Sequence, residues 1–179
     1  DTEQLHDFLT QTPGSFSALL NAINVFQSHG IAIDINCVIC SYNVNRMDKI
    51  LQKLAMLGPF RRIVFTHFIF HGHAFFHPEL LFNVDSCGKM ISRTLDIAEE
   101  LNLPVAFRDF PFCLDPRLEM NQEDTNQMQI VPIGKNQPMS ERAPFIEKPS
   151  CLVCKKASTC PKYLKSNYPR MSASAIFRQ

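Results

Sequence analysis

Residues 15–39, SFSALLNAINVFQSHGIAIDINCVI, set two hydrophobic periods side by side. Phe16, Leu19, Leu20, Ile23 and Phe26 recur at the i, i+3, i+4, i+7 spacing of an amphipathic helix. With Ser15 as N-cap and Gly30 as stop, the spacing predicts a helix over about 15–29. The run from Ile31 to Ile39 is short, rich in β-branched residues and apolar at nearly every position, as a strand covered on both faces would be.

Outward from this stretch the alternation repeats. Met47, Ile50, Leu51, Leu54 and Leu57 keep helical spacing up to Gly58-Pro59, and Arg62 to Phe70 reads as the next strand. Asp85 is then placed to cap a helix through Met90, Ile91, Leu95, Ala98 and Leu101, and Leu103-Pro104-Val105-Ala106-Phe107 opens a third strand with its Pro near the start. Helix and strand joined by short connections predict right-handed βα units on a parallel sheet. Three strands are too few to close a barrel and leave both edges open, so the chain reads as part of a larger α/β sheet. It opens on Asp1 rather than Met, and a fragment or a processed chain is expected. Residues 1–112 are expected to form the βα segment. Residues 113–179 read as an irregular extension, because 115–150 are rich in Asn, Gln, Glu, Met and Pro without a period and the end is basic and polar.

Composition narrows the function. A chain 45% hydrophobic and 20% charged can bury one core, and 18 basic against 17 acidic residues give a net charge of +1, with no broad basic footprint for nucleic acid or an anionic membrane. No apolar run reaches the ~18–20 residues that span a bilayer, and the first residues lack the character of a signal peptide. A soluble, cytoplasmic protein is expected.

Seven cysteines, at 37, 40, 87, 113, 151, 154 and 160, favour metal binding or reduced thiols over a disulfide framework in such a setting. Cys151-Leu-Val-Cys154 is a Cys-x2-Cys knuckle, Cys160 follows it closely, and Lys155-Lys156 offsets the charge of a thiolate centre. Cys113 follows the third predicted strand, at the end of a parallel sheet where functional residues collect, and is the expected fourth ligand. Four thiolates suit structural zinc and a [4Fe–4S] cluster alike; a single knuckle flanked by separate thiols favours the cluster. Cys37 and Cys40 are also spaced as a knuckle, but a strand turns them to opposite faces, so they and Cys87 are expected to be packing residues. His67, His71, His73 and His77 interleave with Phe68, Phe70, Phe75 and Phe76. They are open to three readings, as substrate or cofactor contacts, metal ligands, or hydrogen-bonded loop histidines.

In this order the residues resemble the radical S-adenosylmethionine enzymes. Leu5-His6-Asp7-Phe8-Leu9-Thr10 with Pro13-Gly14-Ser15-Phe16, and Ile35-Asn36-Cys37-Val38-Ile39 with Asn43, are similar to the family's middle region. Phe70-His71-Gly72-His73-Ala74 resembles the Pro-x-Gly-x-Ala ending of its next strand. Pro111-Phe112-Cys113, the Cys151, Cys154, Cys160 set and a later Tyr163 or Tyr168 resemble members with an auxiliary iron–sulfur cluster. The resemblance runs from Leu5 to about Tyr168. It implies the C-terminal half of a partial (β/α) TIM-like barrel, an auxiliary [4Fe–4S] cluster on Cys113, Cys151, Cys154 and Cys160, and S-adenosylmethionine in the complete enzyme over Asn36, Phe68 and Phe70. A peptide or small molecule would be the substrate. Two features depart from the pattern: the radical-generating Cys-x3-Cys-x2-Cys loop is absent, and Pro161 replaces the Gly after the last cysteine. The resemblance therefore implies that a missing N-terminal half or partner subunit supplies the radical cluster. A non-catalytic α/β interaction module with structural zinc is the alternative.

Overall fold

The computed structural model describes residues 1–69, 74, 76–122, 145–146, 148–161 and 163–164. In chain order the regular elements are α1 (Glu3–Thr10), α2 (Ser15–Ser28), β1 (Asp34–Ile39), α3 (Met47–Ala55), β2 (Arg62–His67), α4 (Gly88–Glu100), β3 (Val105–Arg108), β4 (Phe145–Ile146) and β5 (Tyr163–Leu164). The chain is thus a mixed α/β protein with a parallel three-stranded sheet in the order β1-β2-β3, beside a two-stranded antiparallel pair of β4 and β5.

The start of α2 corrects the sequence reading. Gly14 at φ 82°, not Ser15, is the N-cap, and the helix is capped from outside. Asp7, on α1, accepts hydrogen bonds from Gly14 N at 2.5 Å, Phe16 N at 2.8 Å and Ser15 Oγ at 2.9 Å. These donors, Phe16 N first, hold the Asp7 carboxyl below its usual range. At the other end Gly30 at φ 68° lets Gly30 N reach Gln27 O and Ile31 N reach Phe26 O, the left-handed stop that the glycine implied. Asn83, rather than Asp85, caps the turn that leads into α4, accepting from Asp85 N at 3.0 Å, and a 3-10 turn over Val84–Cys87 precedes the helix.

One face of the sheet makes the core. Register pairs Ile35 with Ile63 and Ile63 with Val105, and it sets Cys37, Phe65 and Phe107 in the next row. These side chains share one cluster with Met47, Ile50, Leu51 and Leu54 of α3 and with Ile91, Leu95 and Ala98 of α4. The helical spacing read from the sequence therefore marks the faces that α3 and α4 bury, each large residue contributing about 1.5–3 kcal/mol. The opposite face differs from expectation. In β1, Asn36 and Val38 are exposed, Val38 by 47%. The predicted coverage of both faces fails there because β1 is an edge strand with a helix layer on one side only. In β2, by contrast, residues from Ile63 through His67 are buried on both faces.

The core continues past Cys113. Leu118, in a 3-10 turn over Pro116–Glu119, is fully buried, and Phe107 N donates to Asn121 O at 2.7 Å, so the segment after β3 returns along that strand. Arg117 fixes it. Its guanidinium donates to Asp115 Oδ1 at 3.1 Å and Oδ2 at 2.9 Å, and on α4 to Asp96 Oδ1 at 2.7 Å and Ser92 O at 3.1 Å. Asp115 is buried, and the adjacent guanidinium holds its carboxyl far below the usual range. Arg117→Met is expected to cost about 2 kcal/mol in urea denaturation at neutral pH, because a buried carboxylate loses its partner. The Asp115 contribution is complete above the unfolded pKa of about 3.9 and is lost as pH falls through the depressed folded value. In the variant, acid should therefore remove less stability than in the parent. No described helix is long and apolar enough to cross a membrane.

Candidate metal and cofactor site

Of the expected ligands, Cys113 follows the C-terminal end of β3. Beyond Arg108 the chain turns at Asp109, whose φ of 64° is one that Asp tolerates better than most residues. Phe110 and Phe112 then drop into the core and leave Cys113 exposed in the turn closed by Leu114 N to Pro111 O at 3.1 Å. Phe110, Pro111 and Phe112 are thus buried in succession and Cys113 is the first exposed residue of the turn.

The segment that carries the knuckle reaches this turn through Cys160. Pro149–Val153 forms a 3-10 turn, Cys154 N donates to Cys151 O at 3.2 Å, and Cys160 N donates to Lys156 O at 2.9 Å. Cys160 Sγ accepts from Phe112 N at 3.5 Å, and Cys160 packs against the hydrophobic core. Two ion pairs tie the same segment to the core, Lys148 Nζ with Asp85 Oδ1 and Lys156 Nζ with Glu119 Oε2. The last cysteine of the tail is thereby seated next to the residue that precedes Cys113. Cys151 is half-buried and Cys154 exposed; none of the seven cysteines is in a disulfide.

These thiols fit an all-thiolate centre by type and by chain order. They are not gathered: among the described residues no three His, Cys, Asp or Glu side chains converge as a metal would require. The structure brings Cys160 to the Cys113 turn and carries Cys151 and Cys154 on the same docked segment without closing the set.

The remaining cysteines pack as expected. Burial pushes the Cys37 thiol up to about 11 and the Cys87 thiol up to about 12, and Cys87 Sγ donates to Val84 O at 2.8 Å. Cys40 is buried at the end of β1. There Asn43 Oδ1 accepts from Cys40 N at 2.8 Å while Asn43 Nδ2 donates to Val38 O at 2.9 Å, so this buried amide terminates the strand.

Of the expected cofactor contacts, Asn36 stands on the open face of β1, where Thr66 Oγ1 donates to its Oδ1 at 2.5 Å. Thr66 was not among the residues singled out from sequence; the register of β1 against β2 sets it opposite Val38 and diagonal to Asn36 on the same face. Arg108 is level with Thr66 on the same face. Phe68 follows β2, its N–H donating to Ile39 O at 3.0 Å. Phe70, His71, His73 and Phe75 lie outside the described residues. The other two histidines separate: His67 is buried at the end of β2, whereas His77 is exposed and pairs with Glu79 at 2.9 Å. A cavity of about 160 Å³ also opens between α1, α2, β1 and α3, walled mainly by apolar side chains such as Leu9, Leu20 and Leu54; none of the described residues of the C-terminal segment lines it.

No protein-family model, curated protein or solved structure matches the chain.

Proposed function

We propose that this chain is the C-terminal half of a radical S-adenosylmethionine enzyme and that Cys113, Cys151, Cys154 and Cys160 bind an auxiliary [4Fe–4S] cluster. The observation that carries this reading is the seating of Cys160 against Phe112, which joins the tail to the turn bearing Cys113. Metal binding would draw Cys151 and Cys154 onto that turn. The all-thiolate set suits the cluster, and the lysines of the segment offset its negative charge. A second support is the sheet. Parallel strands in chain order, with their helices on one side, are what an arc of a TIM-like barrel requires, and the face that bears Asn36 and Thr66 would then correspond to the barrel interior.

On that face, Thr66 orients the Asn36 amide by engaging its oxygen and leaves the NH2 group to donate to a ligand. The Phe68 backbone and, outside the described residues, Phe70 are the other contacts assigned to S-adenosylmethionine. The cluster, once bound, would anchor a peptide or small-molecule substrate or pass electrons to the radical centre. That radical centre belongs to another segment or subunit, in a cytoplasmic setting.

Anaerobic reconstitution of the purified protein tests the cluster. Iron and sulfide in equal amounts, with a broad brown absorption, are expected. Cys113→Ser and Cys160→Ser should each lower the iron content, on the order of tenfold, while Cys37→Ala retains it. A colourless protein holding one zinc per chain would remove the cluster assignment and favour the zinc-stapled interaction module.

A further inference from the structure

The α1–α2 hairpin does not close fully onto the sheet. No residue of α1 is buried, and α2 buries Ile23 alone, against five residues on α3. Phe16 and Leu20, on the apolar stripe of α2, face the cavity of about 160 Å³ instead, together with Leu9 of α1, Ile35 of β1 and Leu54 of α3.

Polar contacts at three places hold these walls apart. The His6 ring joins the Asp7 carboxylate in tying α1 to the start of α2, its Nδ1 lying 2.9 Å from Ser15 Oγ. Arg46 donates to both carboxylate oxygens of Asp1, at 2.8 and 2.6 Å, and so fixes α1 to the residue before α3. At the far end of α2, Gln27 Nε2 donates to Pro59 O at 3.4 Å. Gly58 makes room for that amide, since a Cβ there would come within 2.9 Å of it. The volume is thus built into the fold. An engineered protein cavity of about 150 Å³ with similar walls takes up benzene, so an apolar body of about six to eight carbon atoms fits here.

Charge selects the head group. Of the polar side chains that line the cavity, Asp1 is engaged by Arg46, His6 by Ser15, Asn36 by Thr66, and Asn43 by Cys40 N and Val38 O. Lys53, half-buried on α3, makes no ion pair or hydrogen bond among the described residues. We infer that the cavity binds a small monocarboxylic acid, its apolar body enclosed between the hairpin and the sheet and its carboxylate paired with Lys53. A half-buried ammonium without a counter-ion favours an anion over a neutral head, and burial of the body supplies the rest of the affinity. Cys113, Cys151, Cys154 and Cys160 do not line the cavity, so the site stands apart from the cluster.

Titration of the 179-residue chain with phenylacetate, followed by leucine methyl NMR, tests the site. Saturation with a Kd on the order of 1 mM is expected. Shifts should fall on Leu9, Leu20 and Leu54 and spare Leu118, which follows β3. Lys53→Met should weaken phenylacetate about tenfold and leave toluene, its uncharged counterpart, bound as before. Leu20→Trp fills the cavity and should abolish binding of both probes in a protein whose circular dichroism matches the parent; should that variant not fold, the Lys53→Met comparison decides alone. No saturation by phenylacetate up to about 20 mM, shifts that extend to Leu118, or equal phenylacetate affinity in Lys53→Met would each overturn the inference. A folded Leu20→Trp protein that still binds would do so too.

Discussion

Phe107→Ala is expected to destabilise the protein by about 3–5 kcal/mol, a large part of the roughly 5–15 kcal/mol that holds a typical domain together. Phe107 is fully buried on β3, in the core cluster on the sheet's covered face. Its ring lies 5.5 Å from Phe65 in the neighbouring strand and 5.7 Å from Phe110, the latter nearly perpendicular at 85°. Each such pair adds about 0.5–1.5 kcal/mol to the burial of the rings themselves. Removing the ring also opens a cavity beneath the turn to Cys113, so the variant should lose protection of that turn before it loses α3. Urea denaturation measures the first effect, and Phe107→Leu, which keeps most of the volume, should cost only about 1–1.5 kcal/mol. A loss below about 1 kcal/mol for the alanine variant would contradict the described packing of β3.

The second large effect is acid sensitivity set by His67. The ring is buried, its Nδ1 lies 2.8 Å from Phe68 O, and Phe82 and Phe110 pack on it at 5.0 and 5.1 Å. A carbonyl only accepts, so Nδ1 carries the proton of the neutral ring. Burial pushes the imidazole down to about 4. The folded value lies below the unfolded one of about 6.5, so the unfolded chain binds the extra proton first. Stability is therefore complete above about pH 6.5 and falls by about 1.4 kcal/mol per pH unit until the folded ring also protonates near pH 4. The total loss is about 3 kcal/mol across that window. Urea midpoints of the metal-free protein over this range should show the decline, and His67→Phe should flatten it. An identical slope in the variant would mean that His67 is charged or solvated in the folded state.

The candidate site was legible in parts. Cys151, Cys154 and Cys160 stand out because three thiols fall within one short segment, and Cys113 follows from the end of the third strand. The contact of Cys160 with Phe112 could not be read, since 48 positions separate the two residues and no local period links them. Thr66 escaped notice for the same reason: its partner Asn36 is 30 positions away, and a shift of one residue in register would turn Thr66 to the core. Capping misled locally, because Ser15 has the right chemistry for an N-cap, yet the Asp7 carboxylate reaches the same amides from α1 and leaves Gly14 to make the turn.

By itself the sequence determined the alternation of helix and strand, the buried faces of α3 and α4, the Gly30 stop and the packing role of Cys37 and Cys87. All of these depend on periods of 3.6 and 2 or on the conformational freedom of one residue. The tertiary structure alone decided which face of the sheet is covered. The run Ile31 to Ile39 is apolar enough for two covered faces, but strand order makes β1 an edge and the helices take one side. Asn36 and Val38 are therefore exposed, because burial belongs to the neighbours a residue is given and not to its own hydrophobicity.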